Sequence, residues 1–408
     1  MKMKMKMTRK ASVLSAVLAL MLMTCAPLFA ADWPQWRGLL RDGISQETDW
    51  NPASAKVIWK ANVSLGFAAV SIAQGRLYTL GHADDNEIVF CLDAVTGKEI
   101  WKFSYPCDKI AKLYEGGPNS TPTVDGDRVF VLGKEGQLFA LDAAKGTKIW
   151  EASLLESLGG KTPEWGFAAS PLVIKDKVIV QGAATAAFSR ETGELIWKSD
   201  AFQQAYGSAI SFEYEGKTLL ADLNSKALVV IDAATGKRLA LAPWTTQFDT
   251  SAATPIVVGN KIFISTGYGK GAGLFEFTGN DLRQKYHTTL MANHMDSCVL
   301  YKGHLFGFHG NAHKRGDVTL TCIAFDTGER KWTQKGLGCG AVTLAGDKLI
   351  IISDRGDLVF AAANADQYKE LHRLDDVVPG KCWTPPVIAN GRIYLRNAAG
   401  DLACVEVK

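Results

Sequence analysis

Five of the seven histidines, His287, His294, His304, His309 and His313, crowd into one stretch, and imidazole is the side chain best able to hold a metal or carry a proton near neutral pH. His309 and His313 stand four apart in HGNAHKRGD, a spacing that on a helix would turn both rings to one side. Asp296 or Cys298 nearby would then add a donor for Zn2+ or Cu2+. Gly310 and the β-rich surroundings instead make this a hairpin loop, and His304 in KGHLFGF sits in a turn where Arg128 and Arg392 sit in other copies. No metal site is therefore expected. GYGKGAG at 267–273 lacks both the spacing and the following helix of a phosphate-binding loop.

Cysteine supplies little more. Beyond Cys25 the chain holds Cys91, Cys107, Cys298, Cys322, Cys339, Cys382 and Cys404, an odd set spread too widely for a disulfide framework. Cys91 in FCLDA and Cys404 in LACVEV stand where Ala140 stands in FALDA, which makes them small packing residues. Cys339 and Cys382 each open a repeat, and a bridge between them is left open.

The elements that must position any site are repetitive. CLDAVTGKEIW (91–101), ALDAAKGTKIW (140–150), FSRETGELIW (188–197), VIDAATGKRLA (230–240) and AFDTGERKW (324–332) share a strand, a tight Gly turn and a second strand that usually carries Trp. LFEFTGNDLR (274–283) is a weaker copy. With Trp59, the markers fall at 59, 101, 150, 197, 240, 283 and 332, and an eighth lies near 371–374. Ahead of them recur strand pairs such as STPTVDGDRVFVLG (120–133) and TPPVIANGRIYLRN (384–397), joined by hairpin turns like Asp125-Gly126 and Asn390-Gly391. A period of 42 to 49 residues, built from two hairpins, predicts an all-β, eight-bladed propeller of four-stranded antiparallel blades.

The chain begins on a lone outer strand near Val57–Asn62 and ends on three strands from Thr384 to Val407. Pairing the two would complete the eighth blade and leave no open edge. The Trp series is read as a wedge between blades. Ligands of such rings meet the loops that lead into the innermost strands. By strand order these loops bring Phe67, Asn119, Trp165, Tyr206, Asp249, His294, Cys339 and Trp383 to the axis, a mixture suited to a planar or carbohydrate-like ligand. The same large residues would also serve to plug the channel, and both readings stand at this point.

Composition bounds the function. Of 408 residues 47% are hydrophobic and 21% charged, an ordinary globular balance. Residues 1–30 read as a signal peptide, with Lys2, Lys4, Lys6, Arg9 and Lys10 preceding the apolar run Ala11 to Met23. Leu22-Met23-Thr24-Cys25 resembles a lipoprotein box and keeps acylation at Cys25 as a second route. Without the leader, 40 basic residues face 42 acidic ones, with no basic cluster that would bind nucleic acid. No later apolar run is long enough to span a bilayer. The expected organisation is a leader (1–30), an arm (31–55) carrying Trp33, Trp36 and Arg37, and a single propeller (56–408), exported to the periplasm or beyond.

The TGK-x-x-W signature with SPxV opening strands resembles the pyrroloquinoline-quinone-like β-propeller superfamily, which includes quinoprotein alcohol dehydrogenases and the propeller lipoprotein of the outer-membrane β-barrel assembly machinery. DWPQWRG (32–38), RDGIS (41–45), EWGFAASPLV (164–173), MANHMDSCVLYKGHLFGFHG (291–310) and KGLGCGAV (335–342) are similar to exported propellers of planctomycete-type bacteria. The resemblance covers about residues 32–408 and implies fold rather than activity. In the dehydrogenases it implies PQQ lying under a pair of adjacent cysteines, with Ca2+ held by Glu, Asn and Asp. This chain has no Cys-Cys pair, and Glu115, Asn119, Asp249, Asn293 and Asp296 show no spacing that links them as a cage. No cofactor is assigned. The expectation is a non-catalytic exported scaffold for a protein or cell-envelope ligand; the alternative is a PQQ-dependent or metal-assisted dehydrogenase acting on alcohols or sugars.

Overall fold

In the computed structural model, which describes residues 32–202 and 205–408, eight four-stranded antiparallel units follow one another. Blade 1 spans residues 71–106, blade 2 123–153, blade 3 172–198, blade 4 210–243, blade 5 256–288, blade 6 299–334 and blade 7 341–374. Blade 8 joins Val387–Ala389, Arg392–Arg396 and Asp401–Glu406 to the outer strand Lys56–Asn62. That outer strand runs antiparallel to Asp401–Glu406, from Lys56 opposite Glu406 to Asn62 opposite Asp401, as the termini predict. Among the described residues no helix is long and apolar enough to cross a membrane. The leader and Cys25 lie outside the described residues.

The recurring aromatic works as an inter-blade wedge. In each outer strand a register shift sets the marker opposite the centre of its neighbour: Trp101 pairs with Cys91, Trp150 with Ala140, Trp197 with Ala187 and Trp332 with Cys322. A Cβ on Gly146, whose φ is +71°, would fall 2.4 Å from the Trp101 ring, and Gly97, Gly193 and Gly236 meet Trp59, Trp150 and Trp197 in the same way. The turn glycine is thus required twice, by backbone and by the neighbouring blade's ring. Each indole N–H then donates to a carbonyl of the next blade, Trp101 to Ala143 (3.1 Å), Trp150 to Arg190 (3.0 Å) and Trp197 to Ala233 (3.2 Å). Trp59 is the exception: its indole N–H has no such partner among the described residues, while the equivalent carbonyl, Ala94, accepts from the Tyr394 hydroxyl.

One marker is corrected. In blade 5 the wedge is Tyr286, opposite Leu274, rather than residue 283. Its ring covers Gly328 and its hydroxyl donates to Phe325 O (2.8 Å), and it stands seven residues after the turn Gly279 where the other wedges stand four after theirs. The eighth marker is His372, opposite Phe360.

Residues 32–55 pass along the central channel and touch most of the ring. Trp33 pairs with Ile72 of blade 1, Pro34 O accepts from Val124 of blade 2, and Ile44–Ser45 adds a parallel strand to Ala341–Ala345 of blade 7. Glu47 accepts from the Asn390 and Gly391 N–H groups of the blade 8 hairpin. Two buried guanidinium groups anchor the arm between these ends. Arg37 donates to Cys298 O (2.6 Å) and Ser297 O (3.3 Å), and Arg41 to Pro171 O (2.7 Å) and Ser170 O (2.9 Å). Burial lowers Arg41 to about 9, still protonated at neutral pH.

Asp222, buried in blade 4, accepts from Gln181 and Thr185 of blade 3 and has no cation beside it, so burial pushes its carboxyl up to about 7. The unfolded chain would hold that carboxyl near 3.9. Between those values the folded state binds a proton that the unfolded state lacks, so stability rises as pH falls through 7. Urea denaturation from pH 8 to pH 5 should show a gain of up to about 1.4 kcal/mol per pH unit from this group, flattened in Asp222→Asn.

Candidate functional site

Strand order alone brings the segments before the inner strands together, since every blade enters the ring from the same end. They enclose a cavity of about 640 Å³, a size usual for small-ligand sites. Phe67, Asn119, Trp165, Tyr206, His294 and Trp383 line it. Two sequence candidates lie elsewhere. Asp249 turns away to pair with Lys226 (2.7 Å), while its neighbours Phe248 and Thr250 line the wall. Cys339 is 3% exposed and packs with Phe308 and Val342 in the core between blades 6 and 7.

The rings form a nearly continuous wall. Phe67 and Trp383 stack at 5.2 Å with 25° between planes, Phe67 meets Tyr114 at 5.5 Å, and Trp165 meets Tyr206 edge-on at 5.5 Å. Across the cavity Tyr268 touches Phe248 (5.2 Å), His294 (4.9 Å) and His313 (5.6 Å). Phe248 and Tyr268 hold left-handed backbones, φ +61° and +55°, as does Leu113 at +64°, which is 91% exposed at the mouth. Such conformations cost energy in bulky residues and persist where surrounding structure enforces them. The arm supplies the floor: Trp36 lines the cavity and its indole N–H donates to Thr254 Oγ1 (2.9 Å).

Strand order could not reveal Tyr114, Phe248, Tyr268 or Trp36. Tyr114 belongs to a long loop outside the repeat, and Tyr268 to the hairpin GYGKGAG, where no inner strand follows. Phe248 lies one residue from the candidate Asp249, and the left-handed turn decides which of them faces the axis. Trp36 is legible as an arm residue, but its route across the ring is not.

The electrostatics favour binding over proton transfer. His294 accepts from Ala312 N–H on Nδ1 (3.0 Å), and burial with His313 nearby lowers it to about 4, so the ring is neutral. Lys134, beneath the wall, donates to Gly117 O (2.5 Å) and to the Tyr114 hydroxyl. Buried Glu87 accepts from the Tyr105 hydroxyl (2.6 Å) and from Lys134 N–H (3.1 Å). At the mouth Lys112 pairs with Glu164, and Lys381 pairs with Glu115 (2.7 Å) while lying 4.8 Å from the Trp383 ring.

The donor set does not fit a quinone site with Ca2+. Among the described residues no Asp or Glu lines the cavity, and the oxygen donors named from sequence do not converge. Glu115 is bound to Lys381 and Asp249 to Lys226. Asn293 donates to Phe308 O (3.1 Å), and Asp296 accepts from Val342 N–H (2.9 Å). All seven described cysteines are free and buried, so Cys339 and Cys382 form no bridge. Among the described residues no three of His, Cys, Asp and Glu converge as a metal group. His309 ends its strand, and His313 lies in the short 3-10 turn Ala312–Asp317 that follows.

A sequence family described as outer membrane protein assembly factor BamB matches residues 85–334. No curated protein matches the chain in sequence. Among solved structures, BamB from Moraxella catarrhalis is 16% identical, with a TM-score of 0.63 over 86% of this chain and 99% of that one. A quinohemoprotein alcohol dehydrogenase from Comamonas testosteroni is 15% identical, with a TM-score of 0.67 over 92% of this chain and 80% of that one. A europium-containing methanol dehydrogenase is 11% identical, with a TM-score of 0.64 over 90% of this chain and 89% of that one. Assembly factors and dehydrogenases share the ring, so the ring does not choose between them.

Proposed function

We propose, for a chain that belongs to the outer membrane protein assembly factor BamB family, that it is an exported, non-catalytic scaffold holding a protein or cell-envelope ligand in its aromatic funnel. The observation that carries this reading is a wall of half-buried rings, contributed by successive blades, in which the described residues include no carboxylate and the buried His294 is held neutral. Such a surface offers area and orientation without an acid, a base or a metal cage. Export is supported by the cationic and apolar leader.

Trp36, Trp165 and Trp383 all line the funnel, so indole fluorescence reports occupancy. Titration with solubilised envelope fractions should give a saturable change, weakened at least about tenfold in Trp383→Ala, since a central aromatic anchor contributes about 1.4 kcal/mol or more. The same protein incubated with PQQ and Ca2+, then desalted, should retain no chromophore and reduce no dye with alcohols. A stoichiometric chromophore with turnover would instead establish the dehydrogenase reading.

A further inference from the structure

Beside the funnel lies a second cavity of about 460 Å³, of whose lining strand order singled out only Trp383. It shares Ala312, Lys381 and Trp383 with the funnel, so the two form one bent trough with Trp383 at the join. Beyond these it is lined by Pro379, Gly380 and four charged residues, Arg315, Arg355, Asp354 and Asp376. Arg315 is spent: Asp354 clasps its guanidinium through Nη2 (2.6 Å) and Nε. Arg355 is different. Its backbone is fixed by Ser353 Oγ (3.3 Å) and Gly380 N–H (3.2 Å), yet among the described residues its exposed side chain has no hydrogen-bond or ion-pair partner.

We infer that this trough binds a chain-like acidic glycan, with sugar rings on the Phe67–Trp383 wall of the funnel and an anionic substituent, carboxylate or sulfate, on Arg355. The inference rests on the funnel reading above and adds the ligand's class. An elongated trough with aromatic faces at one end and a free guanidinium fork at the other fits a polymer better than a compact ligand. Faces of pyranose rings stack on indole, and a planar fork takes carboxylate or sulfate in a bidentate grip. Of the basic side chains lining the trough, Lys112 pairs with Glu164, Lys381 with Glu115 and Arg315 with Asp354, which leaves Arg355 as the cation without a partner among the described residues. Glu164 and Glu115 hold the two lysines from outside, so the anion is directed to Arg355. The paired charges elsewhere on the rim offer donors and acceptors side by side, as vicinal hydroxyls require.

The test is titration of the full chain with oligogalacturonates of increasing length, heparin-derived oligosaccharides and neutral maltohexaose, followed by calorimetry and indole fluorescence. At least one acidic series should bind with affinity that grows with length and falls with salt, and maltohexaose should bind at least about tenfold more weakly. Arg355→Ala should raise Kd about tenfold or more with an unchanged melting profile, the expected loss of a charge-assisted contact. Equal binding of maltohexaose would overturn the acidic assignment, and unchanged affinity in Arg355→Ala would overturn the role of the second cavity. No binding of either acidic series would overturn the glycan class. A saturable response to envelope fractions, abolished by protease, would in that event leave the funnel reading standing with a protein ligand.

Discussion

Replacing Lys56–Asn62 by a glycine-serine linker of equal length is expected to abolish the single cooperative thermal transition and yield soluble oligomers. The strand supplies the whole outer edge of blade 8, in register from Lys56 opposite Glu406 to Asn62 opposite Asp401. Without it, Asp401–Glu406 would present a row of unpaired backbone groups to any other chain. The linker also removes the Trp59 wedge, whose ring lies over Gly97 of blade 1 and 6.0 Å from Tyr394. A fully buried aromatic of that size contributes roughly 4–6 kcal/mol at 25 cal/mol per Å², and the half-buried Trp59 ring contributes part of that. Calorimetry and size-exclusion chromatography would show the change, and a synthetic peptide of residues 56–62 should restore part of the monomer. An unaltered transition would mean that the ring is not sealed by this strand.

Arg396→Met is expected to destabilise the protein by about 3–5 kcal/mol in urea denaturation, more than any conservative apolar exchange in the core. Arg396 is buried at the same seam and reaches from blade 8 into blade 1. It donates to Ala68 O (3.0 Å), Leu80 O (2.8 Å), Thr79 Oγ1 (3.0 Å) and Ser64 O (3.1 Å). Methionine fills much of the volume but removes the donors from these acceptors, of which Ala68 O keeps the Thr79 hydroxyl and Ser64 O is part-buried, and a buried acceptor left unpaired costs about 1–3 kcal/mol. Burial lowers the guanidinium to about 9, so it carries its charge at neutral pH. Arg396→Lys, which keeps one donor head, should recover part of the loss. A methionine variant as stable as the parent would show that the seam does not depend on this network.

The wedge residues and the candidate funnel residues differ in how far the repeat exposes them. Trp101, Trp150 and Trp197 repeat because each blade solves the same packing problem against the next one's glycine. Tyr286 solves it with another ring and escapes a search for Trp. Trp165 and Trp383 were reachable because they stand just before inner strands, and strand order sends those residues to the axis. Tyr114 and Tyr268 come from loops that differ from blade to blade, where periodicity is silent. Asp249 shows the limit of register: at φ +57° it follows Phe248 at φ +61°, and one left-handed step exchanges wall for rim.

Local pattern was enough to establish the blade count, the hairpins, the sealing of the ring by its two ends and the absence of a Cys-Cys lid, because each depends on residues near in sequence or on the simple requirement that no strand edge stay open. Only the folded chain decided that the arm crosses the channel, that Trp36 becomes a floor for Thr254 to hold, and that Arg355 lies beside Trp383. These pairs are separated by 218 residues and by parts of two blades. Their meeting depends on how eight sheets close around one axis, and no periodicity in side-chain type encodes that closure geometry.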